Sequence, residues 1–433
     1  MSVQKSNLVS RRSFLGTSIL GFAGLTILPG LGSCSSPNNK INLGFIGLGR
    51  QAMSLLKGFI EIEGVQVVAG CDVYGIKRQR FQKRVTEFYA KTDKKADLKI
   101  YEDYKELLSQ PEIDAVVIAI PDHWHALVAI EACKAGKDIY LEKPMTFTIL
   151  EGQKLVEAVR ANKRILAVGS QQRSDSNFQN AVKLVLEGKI GKVEKINAYV
   201  GAPPIAYNLP EEPLPGDLNW DMWLGPNPYL HYNNELNPPI SIDPPKDEQF
   251  WGGWRWYKEV GGGFTTDWGA HMFDIAQWGL GMDKSGPVEI IPAGYQDTKV
   301  LTYKYANGVV MTEERFNADM KGIKFWGSDG WIEVSRGFFN ASDEKIKPVT
   351  TEAGGTYESS VSHHANFIEA IRLRKDPVAN VEIGHRSCTV CNLGNIAYEL
   401  MRPLNWNPTA ESFGNDAEAQ KFLHRTYREG YSL

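Results

Sequence analysis

The segment that most restricts the fold of this chain is a short apolar run, Ile41 to Ile46, that ends at Gly47-Leu48-Gly49-Arg50-Gln51-Ala52. The run is rich in apolar residues and too short for a helix, which favours a buried strand; Met53 to Ile60 reads as the helix that follows. Strand, glycine turn and helix in that order suit a pyrophosphate. Gly47 permits a tight turn, Gly49 lets backbone approach the ligand, and small Ala52 lets the helix pack on the strand. The anion would sit at the helix N-terminus, where free N–H groups and the helix dipole favour negative charge. By itself such a turn also describes an ordinary bend. The second strand, Val65 to Cys71, supplies the partner feature, because it ends in Asp72, twenty residues beyond Ala52. A carboxylate there accepts hydrogen bonds from ribose hydroxyls and repels a 2′-phosphate, so NAD is expected ahead of NADP, although Arg78 and Arg80 lie nearby. Gly47, Gly49, Arg50, Gln51 and Asp72 are the expected cofactor contacts.

Two further buried strands follow. Asp114 to Ile120 stops at Pro121 and the turn Asp122-His123-Trp124-His125, and a helix runs from Ala126 to Ala135. Asp138 to Leu141 stops at Glu142-Lys143-Pro144. Ligands of parallel sheets bind outside the carboxyl ends of strands, where both motifs fall. Pro121, His123, His125, Glu142 and Lys143 therefore join the expected cofactor set. Pro144 is a candidate cis proline.

In the second half, Gly261-Gly262-Gly263 leads through Asp267 to His271, read as a loop opening into a helix. The i, i+4 spacing puts Asp267 and His271 on one helical face. Eleven of the 22 prolines lie between Gly201 and Phe250, which predicts a stiff, irregular insertion or cap. Seven of the 11 tryptophans lie between Trp220 and Trp278. Aromatic faces stack on sugars but are more often core, so one or two, Trp254 among them, are expected to touch substrate.

The stretch from Pro121 to Met145, with the glycine turn, Asp72 and the Gly261–His271 motif, resembles the glucose–fructose oxidoreductase/inositol dehydrogenase (Gfo/Idh/MocA) family. The likeness runs from Ile41 to about Arg402. It implies an α/β chain: an N-terminal Rossmann domain, then an α+β domain with one large, mainly antiparallel sheet. It implies that Lys143 is catalytic, with Asp267 and His271 as its partners, and that Gln172 and Arg173 stand near substrate. In the expected chemistry His271 serves as base or proton relay. Lys143 polarises the hydroxyl and shares its proton, and Asp267 orients substrate or histidine. The expected assembly is a homo-oligomer, a dimer or tetramer.

A chain of 433 residues suggests two domains plus a targeting segment. The expected division is 1–40, an export signal; 41–165, the Rossmann domain; 166–402, the α+β domain; and 403–433, a C-terminal tail. Ser10-Arg11-Arg12-Ser13-Phe14-Leu15 is a twin-arginine pattern, followed by an uncharged run from Gly16 to Ser33. Leu31-Gly32-Ser33-Cys34 resembles a lipoprotein cleavage box, with Cys34 as a candidate lipid anchor. Export to the periplasm, with or without that anchor, is the expectation. Cys388 and Cys391 lack the further ligands of a zinc site and are read as small core residues, so no metal is expected. A net charge of −3 gives no bulk attraction to nucleic acid. The expected partner is a small carbohydrate. An exported enzyme meets no free dinucleotide, so the cofactor should be tightly bound and regenerated in place. Two other readings stay open: an NAD-dependent glycosidase that oxidises, eliminates, adds water and reduces, and a non-catalytic sugar-binding protein.

Overall fold

The computed structural model describes residues 40–92, 97–245, 248, 251–318, 320–346 and 362–433. The twin-arginine pattern and Cys34 lie outside the described residues.

The first sheet is parallel, with strands β1 (Ile41–Ile46), β2 (Val65–Cys71), β3 (Lys99–Tyr101), β4 (Ala115–Ile118), β5 (Asp138–Leu141) and β6 (Leu166–Val168) in the order β3-β2-β1-β4-β5-β6. β4 and β5 are buried at every residue, as expected of strands covered on both faces. Helices α1 (Arg50–Ile60), α2 (Gly75–Lys91), α3 (Tyr104–Leu108), α4 (His125–Lys134) and α5 (Ile149–Ala161) connect them. α1 buries Ala52, Leu55, Leu56, Phe59 and Ile60, the i, i+3, i+4 stripe of a helix laid on a sheet. Strand order reverses between β1 and β4, and a crevice opens there. The sheet includes one strand beyond the expected boundary at 165, because β6 pairs in register with β5.

After α6 (Ser176–Leu186), a second sheet is assembled from β7 (Val193–Tyr199), β8 (Glu289–Ile291), β9 (Thr302–Lys304), β10 (Val310–Thr312), β11 (Gly322–Gly327), β12 (Trp331–Ser335), β13 (Phe338–Ala341) and β14 (Leu404–Asn405). Its order is β13-β12-β11-β7-β10-β9-β8-β14, antiparallel except where β7 meets β10. Between β7 and β8 lie α7 (Trp220–Leu224), α8 (Gly263–Asp267) and α9 (Gly269–Gly279). The proline-rich stretch is irregular apart from α7 and forms a cap with its own small core of Leu218, Trp220, Trp223, Leu224, Tyr232 and Leu236. Tyr74 of the first domain packs into that core.

Helices near the C-terminus pack on the first domain as well as the second. α10 (His363–Leu373) places Phe367 and Ile368 in the core of the first domain, with Phe59 and Tyr140. α11 (Val381–Leu400) puts Val381 and Cys388 in the first domain's core and Cys391 and Leu393 in the second's. Both cysteines are buried free thiols. Residues 403–433 do the same: β14 extends the second sheet, while Tyr427, Tyr431 and Leu433 pack against the first domain.

Candidate active site

Gly47 follows β1 at φ +83°, and a side chain there would meet the Ala119 carbonyl oxygen at 2.5 Å, so only glycine fits the crossing of β1 and β4. Gly49 is the N-cap of α1, with no side chain capping that end and open space where its Cβ would stand. The helix therefore presents bare N–H groups to a cleft lined by Gly47, Gly49, Arg50, Gln51, Asp72 and Pro121. These residues fit a dinucleotide pyrophosphate. Asp72 lines the same cleft and also braces the glycine turn, since Oδ2 accepts from Leu48 N (2.7 Å) and Oδ1 from Tyr74 N (2.9 Å). The carboxylate retains further lone pairs for a ribose.

The cap roofs this cleft with Trp223, Asn237, Pro238, Trp251 and Trp254. Lys77 Nζ donates to Asn237 Oδ1 (2.8 Å), and the N-terminus of α2 donates to Asp217, from Gly75 N to its carbonyl (2.8 Å) and from Ile76 N to Oδ2 (2.7 Å). Lys83 and Arg84 pair with Asp243 of the cap.

At Gln51, Ile120 and Trp254 the cofactor cleft opens into a wider one of about 930 Å³. The expected chemical residues meet here. Lys143, joined to Pro144 by a cis peptide, donates from Nζ to Asp267 Oδ1 (2.7 Å) and to the Asp267 carbonyl (2.9 Å). Burial opposes ionisation of Asp267, yet Lys143 and Arg255 hold its carboxyl below the usual range. Glu142 is tied to the cofactor turn, accepting from Gln51 Nε2 (2.8 Å), and burial raises its carboxyl. Asp267 closes α8 and His271 lies in the first turn of α9, so the expected single helix is divided at Trp268. Hydrogen bonds run on through the break, Trp268 N to the Phe264 carbonyl and Met272 N to the Trp268 carbonyl, and both side chains still line the cleft. Gly263, at φ +67°, makes this approach possible: a side chain there would meet Pro204 N at 2.4 Å. Burial, with Lys143 and Arg336 nearby, holds the His271 ring well below the usual histidine range. Its Nε2 receives Arg336 (3.1 Å), and its buried Nδ1 has no partner among the described residues.

Four expected contacts take other places. His123 is buried with Nε2 against the Trp223 carbonyl (2.9 Å) and Nδ1 against that of Val260 (3.3 Å), joining the turn to the cap. His125 sits between the carbonyls of Pro144 (2.7 Å) and Ile120 (2.9 Å), and burial lowers its ring to about 4. A neutral imidazole donates through one nitrogen only, so one of those carbonyls receives the proton. Neither histidine lines a cleft. His125 instead ties together the segments that follow β4 and β5, and His123 ties the turn to the cap. Arg173 is buried and paired with Asp274 (2.8 Å) and Asp283 (2.7 Å), which keeps it from substrate. Gln172 lies behind His271, with amide geometry suited to the His271 carbonyl (3.3 Å) and Arg336 Nε (3.2 Å), while its neighbour Gln171 reaches the cleft.

Several cleft residues had no local signature. Asp122 belongs to the predicted turn, yet its carboxyl faces Arg255 and Lys143, and burial pushes it up to about 8. Arg255 stacks on Trp254 (4.2 Å) and Trp251 (4.8 Å) and lies 3.7 Å from Asp267. Arg336 comes from the β12–β13 hairpin.

Sheet order, glycine turn and paired clefts define a two-domain protein built around a dinucleotide site. The chain belongs to the Gfo/Idh/MocA oxidoreductase family: residues 41–170 match its NAD-binding Rossmann fold, and residues 204–433 match its C-terminal alpha/beta domain. It is 30% identical over 192 residues to inositol 2-dehydrogenase of Salmonella typhimurium, a match covering 42% of this chain and 54% of that one, about half the relative's length. It is 25% identical to myo-inositol 2-dehydrogenase of Thermotoga maritima over 67% of this chain and 74% of that one. The fold is also that of aldose-aldose oxidoreductase from Caulobacter crescentus, with a TM-score of 0.57 and 16% identity over 84% of this chain and 99% of that one.

Proposed function

We propose that this protein oxidises a secondary alcohol of a sugar, glycoside or cyclitol with NAD, and that it keeps the dinucleotide as a resident cofactor. The observation that carries this reading is the Lys143–Asp267 pair beside His271, at the junction of the two clefts. NAD, when bound, supplies the acceptor for the hydride that leaves the carbinol carbon. Lys143 directs two N–H groups at Asp267, which leaves the third to hold and polarise the substrate hydroxyl. Asp267 fixes the lysine's direction. His271, neutral at pH 7, takes the hydroxyl proton on Nε2. Trp254, Trp256 and Trp268 line the cleft and offer aromatic surface to a sugar.

The cap supports residency, because the Lys77–Asn237 and Asp217 contacts fasten it to α2 while its residues line the cofactor cleft. The twin-arginine pattern fits the same reading: a protein exported folded would carry its cofactor with it. Purified protein should retain NAD(H) through dialysis, released by acid, and the bound cofactor should show the absorbance of reduced nicotinamide when the right sugar is added. Loss of the cofactor on dialysis would overturn residency, and no reduction by any sugar, cyclitol or glycoside would overturn the reaction. Cleavage of a glycoside without net reduction would assign the same residues to an oxidise–eliminate–hydrate–reduce cycle.

A further inference from the structure

Three cations among the described residues line the substrate cleft, and they are not equivalent. Lys143 is paired with Asp267, and Arg255 lies 3.7 Å from the same carboxylate. Arg336 has no carboxylate within ion-pair distance among the described residues. It is nevertheless held in place from three sides. Its guanidinium carbon stands 4.8 Å over the Trp268 ring, one NH2 group donates to His271 Nε2 (3.1 Å), and Nε faces the Gln172 amide (3.2 Å). It projects from the turn Ser335-Arg336-Gly337, where Gly337 at φ +68° tightens the hairpin over the cleft. The remaining N–H groups of a guanidinium so placed match the two oxygens of a carboxylate or another oxyanion.

We propose that the natural substrate is an anionic sugar whose carboxylate, sulfate or phosphate group is bound by Arg336. This rests on the oxidoreductase reading of the cleft and narrows its substrate class. The position of Arg336 has a mechanistic corollary. Its donation to His271 Nε2 occupies the lone pair that must take the hydroxyl proton. An oxyanion that draws the guanidinium towards itself frees that lone pair, so recognition of the charged group and readiness of the base are coupled. Atoms balance simply: the hydroxyl proton passes to Nε2, the hydride to the nicotinamide, and the anionic substituent is unchanged.

The test uses the cofactor-loaded protein with D-glucuronate, glucose 6-sulfate and glucose 6-phosphate, each set against glucose. Two readings are taken: reduction of bound NAD, and quenching of tryptophan fluorescence, to which Trp268 beside Arg336 contributes, as a measure of binding without turnover. The anionic member is expected to be favoured about 10–100-fold in kcat/KM, the range of one charge-assisted hydrogen-bonded contact. Arg336→Gln should raise its KM by a similar factor and, by releasing His271 Nε2, speed the turnover of glucose, with Arg336→Lys recovering part of the loss. In Arg336→Gln the acid limb of the pH profile should also move upward, because a positive neighbour of His271 is gone. Equal use of neutral and anionic sugars, or equal loss on both in Arg336→Gln, would overturn the proposal while leaving the oxidoreductase reading intact. Anion-dependent quenching without reduction by any sugar would do the reverse. The sulfate and phosphate arms show which oxyanion the site takes.

Discussion

Lys143 and His271 divide the work of one proton transfer, and substitution separates their roles. Lys143→Met should lower kcat by about 10²–10⁴-fold, the usual weight of an acid–base group, while bound NAD, measured by acid release, stays stoichiometric. Near-normal turnover would remove Lys143 from the reaction. Asp122 gives a different readout. Its folded-state pKa, about 8, lies above the ordinary carboxylate value of about 4, so burial favours the protonated form. That contribution is complete below about pH 4 and is lost as pH rises through 8. Asp122→Asn should therefore flatten the fall in Tm across that window, seen by thermal unfolding in a pH series; an unchanged slope would contradict it. Lys143, Asp267 and His271 were legible in the sequence because each sits in a short motif at a strand or helix end. Arg255 and Arg336 were not, since a cap and a distant hairpin bring them to the cleft and neither leaves a local pattern. His123 and His125 misled for a related reason. A motif at a strand end can be spent on tying segments together, and their ring nitrogens go to backbone carbonyls.

Among the elements, the cap is the one whose density of prolines announced irregularity without announcing its position. It spans the two domains by supplying acceptors to the otherwise uncapped start of α2. Asp217→Ala removes one of these bonds and should speed NAD dissociation by about 10-fold, the equivalent of one hydrogen bond of roughly 1–1.5 kcal/mol, as followed by stopped-flow displacement. An unchanged rate would place the barrier to release elsewhere. The Glu411 loop is a second such tie: its carboxylate accepts from His385 Nε2 (3.0 Å) and Gln153 Nε2 (2.9 Å) and pairs with Arg386, so it fastens the C-terminal stretch to α11 and α5. Burial opposes its ionisation, but these partners, His385 foremost, bring it down to about 2. A depressed carboxylate stabilises above its unfolded pKa and loses that contribution as pH falls through the folded one. Glu411→Gln should thus lower Tm at neutral pH by a few degrees, and the gap from wild type should close between about pH 4.5 and 2.

At the scale of the whole molecule, strands β1, β2, β4 and β5 followed from the sequence, because a buried parallel strand and its glycine turn are local patterns, whereas the second, mainly antiparallel sheet followed only from the family resemblance. The contacts that join the two cores followed from neither, because distant segments make them. The helices after residue 362 close the core of a sheet begun at residue 41. A fragment ending at residue 170 would expose the ground that Phe367, Ile368 and Cys388 cover, losing about 1.5–3 kcal/mol for each large apolar side chain. It should behave as an expanded, dye-binding species by near-ultraviolet dichroism; a cooperative native-like transition would contradict this. α11 has a consequence for inheritance as well. One of its cysteines belongs to each core, so a recombination joint placed between the two domains would cut a fitted surface even though it cut no strand. The nucleotide-binding half thus shares its fitted surface with a helix that returns more than two hundred residues after β6.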